Sequence, residues 1–394
     1  MSQPPKDHEI VILGSHYAGL GTAHYLLRHI IPSLSAANLA TRYHVTIVAP
    51  NTEFFNSVTA PRYLVGKDLI ASSKMFLSIP DVLKKEYSEE QYSLVQGKAI
   101  AMDAEKRIIT IGFYGGASQE LSYRTLVIAT GTFSNSGLWQ VNDNQDVTKD
   151  QFSSIQTALP KARTVLVVGG GTVGVETAGE IAANYPNVEI TIISGTERLL
   201  PRLLLANSKK AEKQLNAMGV DVIHKLRVTS SSKGANNTTT VVFSDGSQKT
   251  IDLFIDATGG KPNTSFLPTA WLNAKGYVVN DDKTLRTDTP GVYAIGDVAS
   301  YSTGSIIDIH FAIAPLSTSI GIDLAAQIQK STLFKQKIFS PLKNTQFVPI
   351  GPNGGVGQIL GWQLPSWFIW LLKSRTFFAD KAGEAVRGQE YLKP

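Results

Sequence analysis

The 394-residue sequence predicts an α/β fold: two parallel-sheet units of one plan, the second inserted in the first, then a small C-terminal α+β unit. Three observations carry this expectation. An apolar strand runs into a glycine-rich turn and a helix twice, near residues 9–29 and 163–185. Each of these halves later closes a strand on Ala-Thr-Gly, at Ala129–Gly131 and Ala257–Gly259. Strand character then returns at Gly291–Asp297, beyond the second half, where a last strand of the first unit would stand.

In chain order, Glu9-Ile-Val-Ile-Leu13 is a short apolar run ending at glycine, which reads as a buried strand. A helix is expected from Leu20 to about His29 and a second strand from His44 to Ala49. In the second half, Arg163–Val168 leads into Gly169–Gly174, a helix to about Tyr185 and a strand from Val188 to Ile193. A helix near Ser208–Met218 and strands about the Asp245-Gly246 turn follow. A later helix is expected through Ile320 to Ile328. From about Ser331 the composition changes, with three of the five tryptophans at Trp362, Trp367 and Trp370. The expected division is residues 1–150 and 271–330 for the first unit, 151–270 for the second and 331–394 for the third.

Gly169, Gly171 and Gly174 form an intact GxGxxG between strand and helix. The first glycine makes the tight turn, the second admits a pyrophosphate against the backbone, and the third lets helix and strand pack closely. The first helical turn, with Thr172 and Val173, then points free N–H groups at the phosphates. This is the signature of a Rossmann-like dinucleotide site. The first turn, Gly14-Ser15-His16-Tyr17-Ala18-Gly19, keeps the outer glycines but has His16 in the middle position. A side chain there crowds a pyrophosphate unless the loop is displaced or the imidazole itself contacts phosphate.

Neither second strand ends on a carboxylate that could accept from a ribose 2′-OH. The first ends on Ala49, Pro50 and Asn51, of which Asn51 is a neutral substitute. The second ends on Ser194 and Gly195, with Glu197 and Arg198 just beyond. Arg198 favours a 2′-phosphate and Glu197 a free hydroxyl, so NADPH and NADH both stay open.

The bulk properties narrow the chemistry. Hydrophobic content of 43% and charged content of 18% fit a globular chain rather than a disordered one. The absence of cysteine excludes a disulfide, a thiolate metal site and a redox-active CxxC pair, so a bound cofactor must carry any electron chemistry. The net charge of +5 suits an anionic cofactor or a membrane surface, but there is no basic stripe for nucleic acid. The N-terminus shows no apolar signal region, Ser2 breaks the N-myristoylation pattern, and no run is expected to span a membrane. The expected location is cytoplasmic, with the chain a monomer or homodimer.

The outer glycines Gly14 and Gly19, Ala129-Thr130-Gly131, Gly169…Gly174 with Val175-Glu176, Ala257-Thr258-Gly259 with Pro262-Asn263, and Gly296-Asp297 stand in a familiar order. From residue 9 to about 325 the chain resembles the pyridine-nucleotide flavoprotein reductases. Within that group it looks most like the apoptosis-inducing-factor-like branch, which includes the ferroptosis suppressor and its fungal relatives. The segment Phe54-Phe55-Asn56 to Pro61-Arg62 and the closing Lys373-Ser-Arg-Thr-Phe-Phe378 carry this finer likeness. The lack of cysteine agrees with it and argues against the disulfide reductases.

The resemblance implies FAD in the first unit and NADH or NADPH in the second. It implies that Gly296 and Asp297 meet the FAD ribityl-phosphate region, and that a helix beginning near His310 aims its N-terminus at the flavin ring. It places Arg62 on the flavin side and Glu176 near the nicotinamide, and Ala99 completes the expected cofactor-binding set. His310 and Glu176 are the candidate catalytic residues, His310 because imidazole titrates near neutrality.

The leading expectation is an NAD(P)H oxidoreductase that passes electrons through FAD to an organic acceptor, expected to be a quinone. A flavin-dependent oxidase or dehydrogenase tailoring a small metabolite is the second. The third, from another class, is an NAD(P)H-sensing interaction protein with little turnover. The segment 361–375 sets tryptophans beside Lys373 and Arg375, a pattern that suits peripheral membrane contact as well as protein packing.

Overall fold

The computed structural model describes residues 6–234 and 238–394. Strand β1 (Lys6–Leu13) passes through the turn at residues 14–16 into helix α1 (Tyr17–Tyr25). Next come β2 (Thr41–Ala49), the short helix α2 (Ala60–Val65), β3 (Tyr92–Gln96) and β4 (Thr125–Ile128). Helix α3 (Gln145–Ala158) precedes β5 (Thr164–Val168), α4 (Thr172–Asn184), β6 (Glu189–Ser194), α5 (Leu205–Ala217), β7 (Val220–His224) and β8 (Leu253–Asp256). Then follow β9 (Val292–Ala294) and the long helix α6 (Ile306–Gln327).

Two parallel sheets result. The first has the order β9-β4-β1-β2-β3 and the second β7-β6-β5-β8. Because β9 returns to the first sheet after the whole second sheet is complete, the second is inserted in the first. The central strands are apolar on both faces, with Ile10, Val11 and Ile12 at 0% exposure, as a parallel sheet covered on both sides requires. In each sheet the chain turns to opposite sides of the first strand, β1 or β5. That makes a switch point at its carboxyl end, where open α/β sheets bind ligands.

The two halves repeat one another down to hydrogen bonds. Gly14 N donates to Val48 O at 2.8 Å and Ala129 N to Leu13 O at 2.9 Å. The counterparts are Gly169 N to Ile193 O at 2.9 Å and Ala257 N to Val168 O at 2.7 Å. Each half also carries a three-stranded antiparallel sheet, at Lys98–Ser122 and Val228–Ile251. The second of these turns at Gly246, with φ +84°.

Three differences from the sequence reading have physical causes. Helix α3 crosses the expected boundary at residue 150, because Phe152, Ile155 and Leu159 pack in one core with Val165, Val167 and Ile181 of the second sheet unit. Helix α6 starts at Ile306, not near His310, since Ser305 caps it by accepting from Ile307 N. By length and composition α6 could also cross a membrane, with mean hydropathy 1.4, which the sequence reading did not foresee. In the fold, 61% of that apolar window is buried, where Ile313, Leu316 and Ile320 pack against Leu20, Ala23 and Ile30.

The C-terminal region holds an antiparallel sheet of β10 (Gln346–Pro349), β11 (Gly355–Ile359) and β12 (Trp362–Gln363). It lies against α4, where Gly179 permits the contact: a Cβ there would stand 2.8 Å from Gly351 N. The final turns pack on α1 and on the helical turn after it (Leu26–Ile30), with His24 Nε2 2.9 Å from Val386 O and His29 Nε2 2.7 Å from Tyr391 O.

Candidate cofactor and active site

One cleft of about 2180 Å³ joins both glycine turns. A single small-molecule site occupies roughly 300–1,000 Å³, so this volume suits two large ligands end to end. Its walls include Gly14, Ser15, His16, Tyr17, Ala18, Asn51, Ala99, Ala129, Thr130, Gly131, Gly296 and Asp297 from the first half. Gly169, Gly171, Thr172, Val173, Glu176 and Gly259 line it from the second. Gly19 and Gly174 stand behind the walls, where a Cβ would meet Gly14 O at 2.0 Å and Gly169 O at 1.8 Å. They are the close helix–strand contacts that the spacing predicted.

Both helix N-termini open onto the cleft without a side-chain cap, α1 after His16 and α4 after Gly171. Uncapped N–H groups at such positions form an anion site. A Cβ on Gly171, Gly131 or Gly259 would meet nothing within 4 Å. Ser15 Oγ, His16 Nε2 and Asn51 Oδ1 are buried on the first wall with no hydrogen-bond partner. Open glycines, free helix ends and orphaned polar atoms fit a dinucleotide in each half.

His16 keeps its ring at the cleft wall beside Phe54 and Phe55. Its ring meets Phe54 edge-on, with centroids 6.0 Å apart, and a hydrogen bond to the Glu53 main chain holds it. Burial lowers its pKa to about 4, against that hydrogen bond, so it is neutral at pH 7. Asp297 accepts from Ser302 Oγ at 3.0 Å, and burial raises its pKa.

Glu176 is no exposed helix residue. It is 3% exposed and accepts from Lys373 Nζ at 2.6 Å. Burial raises its carboxyl to about 7, although Lys373 pulls it down. Both residues line the cleft.

His310 also lines the cleft, with Nδ1 2.8 Å from Glu390 Oε2 of the C-terminal turns. That hydrogen bond raises the pKa of His310 and lowers that of Glu390. The N-terminus of α6 is less available to a flavin than expected, because Ser305 caps it and Asp308 occupies its first turn.

Three expected site residues lie elsewhere. Arg62 is absent from the cleft wall because it is held below it: Nε and NH2 grip Glu180 at 2.8 and 2.7 Å, and NH1 donates to Ser374 O at 2.6 Å. Its guanidinium also stacks on Phe377 at 4.4 Å. Glu197 turns outward to Lys225 at 2.9 Å, and Arg198 donates to Pro201 O at 2.7 Å. Both border a separate shallow depression.

Sequence reasoning missed the cleft residues Lys373, Lys381, Glu384, Glu390, Arg202 and Arg227. Only Lys373 had drawn notice, as a membrane-flanking cation and as the start of the closing segment of the family likeness, and it is 9% exposed and turned inward. Trp362, Trp367 and Trp370 are exposed at 79%, 65% and 39%.

Two parallel sheets, one inserted in the other, that share one cleft, each with a glycine turn and a free helix end, define a two-dinucleotide oxidoreductase. The chain matches the pyridine nucleotide-disulphide oxidoreductase family over residues 8–315 and belongs to it. It is accordingly an FAD-dependent NAD(P)H oxidoreductase. It is 34% identical to "Oxidoreductase phnG" of Penicillium herquei over 393 residues, covering 94% of this chain and 93% of that one. It is 25% identical to "Ferroptosis suppressor protein 1" of Homo sapiens over 388 residues, covering 96% and 95%. The similarity thus runs to the branch that the sequence resembled. Among solved structures, NDH2 of Plasmodium falciparum in complex with NADH shares the fold, with TM-score 0.66, 18% identity and coverage of 95% and 97%.

Proposed function

We propose that the protein moves electrons from NAD(P)H through FAD to a small organic acceptor, a quinone. The observation that carries this reading is a cleft joining both dinucleotide sites in a chain without cysteine, so no dithiol can relay electrons onward. FAD supplies the hydride acceptance and electron delivery when bound. In this reading residues 1–150 and 271–330 hold FAD and residues 151–270 hold NAD(P)H.

The chain's own part is orientation and proton control. The free ends of α1 and α4 would hold the two pyrophosphates, and Asp297 would accept a hydrogen bond from a ribityl hydroxyl. Glu176, poised near neutrality, orients the nicotinamide end and can exchange a proton there. His310, whose pKa the Glu390 hydrogen bond raises, would offer its other ring nitrogen to the acceptor. The exposed Trp362 and Trp367 would rest on a lipid surface, where lipid-soluble acceptors collect.

Anaerobic titration of the purified holoprotein with NADH and NADPH, followed by a quinone panel, tests the reading. Flavin bleaching by at least one nicotinamide and recovery by a quinone are expected. Bleaching without recovery by any quinone would remove the quinone assignment.

Glu390→Gln is expected to return the pKa of His310 toward 6.5. The variant should therefore lose the imidazolium at lower pH than the wild type. Titration of the His310 ring signals by NMR measures this directly; an unmoved curve would show that Glu390 does not set its charge.

A further inference from the structure

We propose that the second dinucleotide site is built for a 2′-phosphorylated adenosine, and hence that NADPH is the preferred donor, with Arg227 as the specificity-determining residue. The inference rests on the reading of that half as the NAD(P)H site. The decisive place is the end of β6, where a carboxylate would bind a free ribose 2′-OH and repel a phosphate. That place is Ser194, buried and uncharged, followed by Gly195 and Thr196, and all three line the cleft.

The chain after β7 is laid against this strand end. Leu226 N donates to Ser194 O and Lys225 N to Thr196 O, each at 3.1 Å. This sets Arg227 over Gly195: a Cβ there would stand 3.1 Å from both Cγ and Cζ of the arginine, so glycine lets the arginine side chain lie close against the strand end. NH2 donates to Gly195 O at 3.2 Å. That fixes the plane of the group, and the remaining N–H donors are left for a ligand.

The nearby charges agree. Glu197 points away into its pair with Lys225 and is 83% exposed. Arg198 is turned into the other depression, so it is not the residue that reads the ribose. Arg202 also lines the cleft, but its NH1 donates to Thr303 O, which makes it a strut between the units. Arg227 is therefore the cation presented at the strand end that carries no acid.

A charge-assisted arginine–phosphate contact of this kind is worth roughly ten-fold or more in affinity. Calorimetric binding of adenosine 2′,5′-bisphosphate and of 5′-AMP to the holoprotein tests the proposal without any acceptor. The bisphosphate should bind roughly ten-fold tighter to the wild type. Arg227→Ala should erase the difference and leave 5′-AMP unchanged, Arg227→Lys should keep part of it, and Arg198→Ala should keep all of it. Equal binding of the two nucleotides to the wild type, or an unchanged preference in Arg227→Ala, overturns the proposal alone. Failure of both nucleotides to bind overturns the dinucleotide reading of this half as well.

Discussion

Arg62→Met is expected to destabilise the protein by about 3–5 kcal/mol and to depress turnover, although Arg62 does not touch the cleft. Two carboxylates lie one helical turn apart on α4, Glu176 at 3% and Glu180 at 1% exposure. Each is met by one cation, Lys373 and Arg62 respectively. Removing Arg62 leaves the Glu180 carboxyl without its partner in the interior, and that desolvation cost makes the loss large. It also frees the Ser374 carbonyl and the Phe377 ring, which fix the segment carrying Lys373. Urea unfolding reads the first effect and steady-state kinetics the second. Wild-type stability and turnover in the Arg62→Met variant would remove the positioning role.

The same cluster predicts a pH dependence with a definite sign. The folded pKa of Glu176, about 7, lies above its ordinary value of 4.5, chiefly because burial disfavours the charge. The folded state therefore holds that proton more tightly than the unfolded chain does. The stability from Glu176 is complete below about 4.5 and is lost as pH rises through about 7. Lys373→Met removes a cause that lowers this pKa, so the upper end of the window should move to more alkaline pH. Unfolding midpoints taken between pH 5 and pH 9 would follow it.

Gly14→Val is expected to abolish FAD retention and most soluble protein, whereas Gly171→Ala should fold normally and weaken NAD(P)H alone. Gly14 has φ +114°, and a Cβ there would lie 2.3 Å from Ala129 O, a main-chain atom that cannot yield without breaking the β1–β4 register. Gly171 has φ −81° and open space around it, so alanine brings no strain. Its methyl would instead fill the space left for a pyrophosphate, raising the NAD(P)H dissociation constant roughly ten-fold. Absorbance of bound flavin, melting temperature and nicotinamide titration separate the two outcomes. An unchanged nicotinamide affinity in Gly171→Ala would place the pyrophosphate elsewhere.

The α/β class and the two glycine turns were legible in the sequence because their causes are local. A parallel strand buried on both faces must be a continuous apolar run, and a turn that approaches Ala129 or Ala257 must be glycine. The helices that were expected lie within a few residues of their spans, except that Ser305 starts α6 earlier than His310 suggested and helical turns after α1 run on to Ala37. Helices α2 and α3 were not foreseen. That Gly14–Ala18, Ala129–Gly131 and Gly169–Val173 line one cleft agrees with the same local rules. What only the tertiary structure decided is where the long polar side chains go. Arg62 and Glu180 are 118 residues apart, and Lys373 and Glu176 are 197 apart. No spacing rule reaches so far, and it is burial against α4 that selects these partners. Likewise Glu197 and Arg198 sit at the right sequence distance from β6, yet their side chains turn away. Arg227 is put at the strand end by main-chain hydrogen bonds between two loops. Local sterics set the backbone through short-range exclusion, whereas charges find their partners only once the core has closed around them.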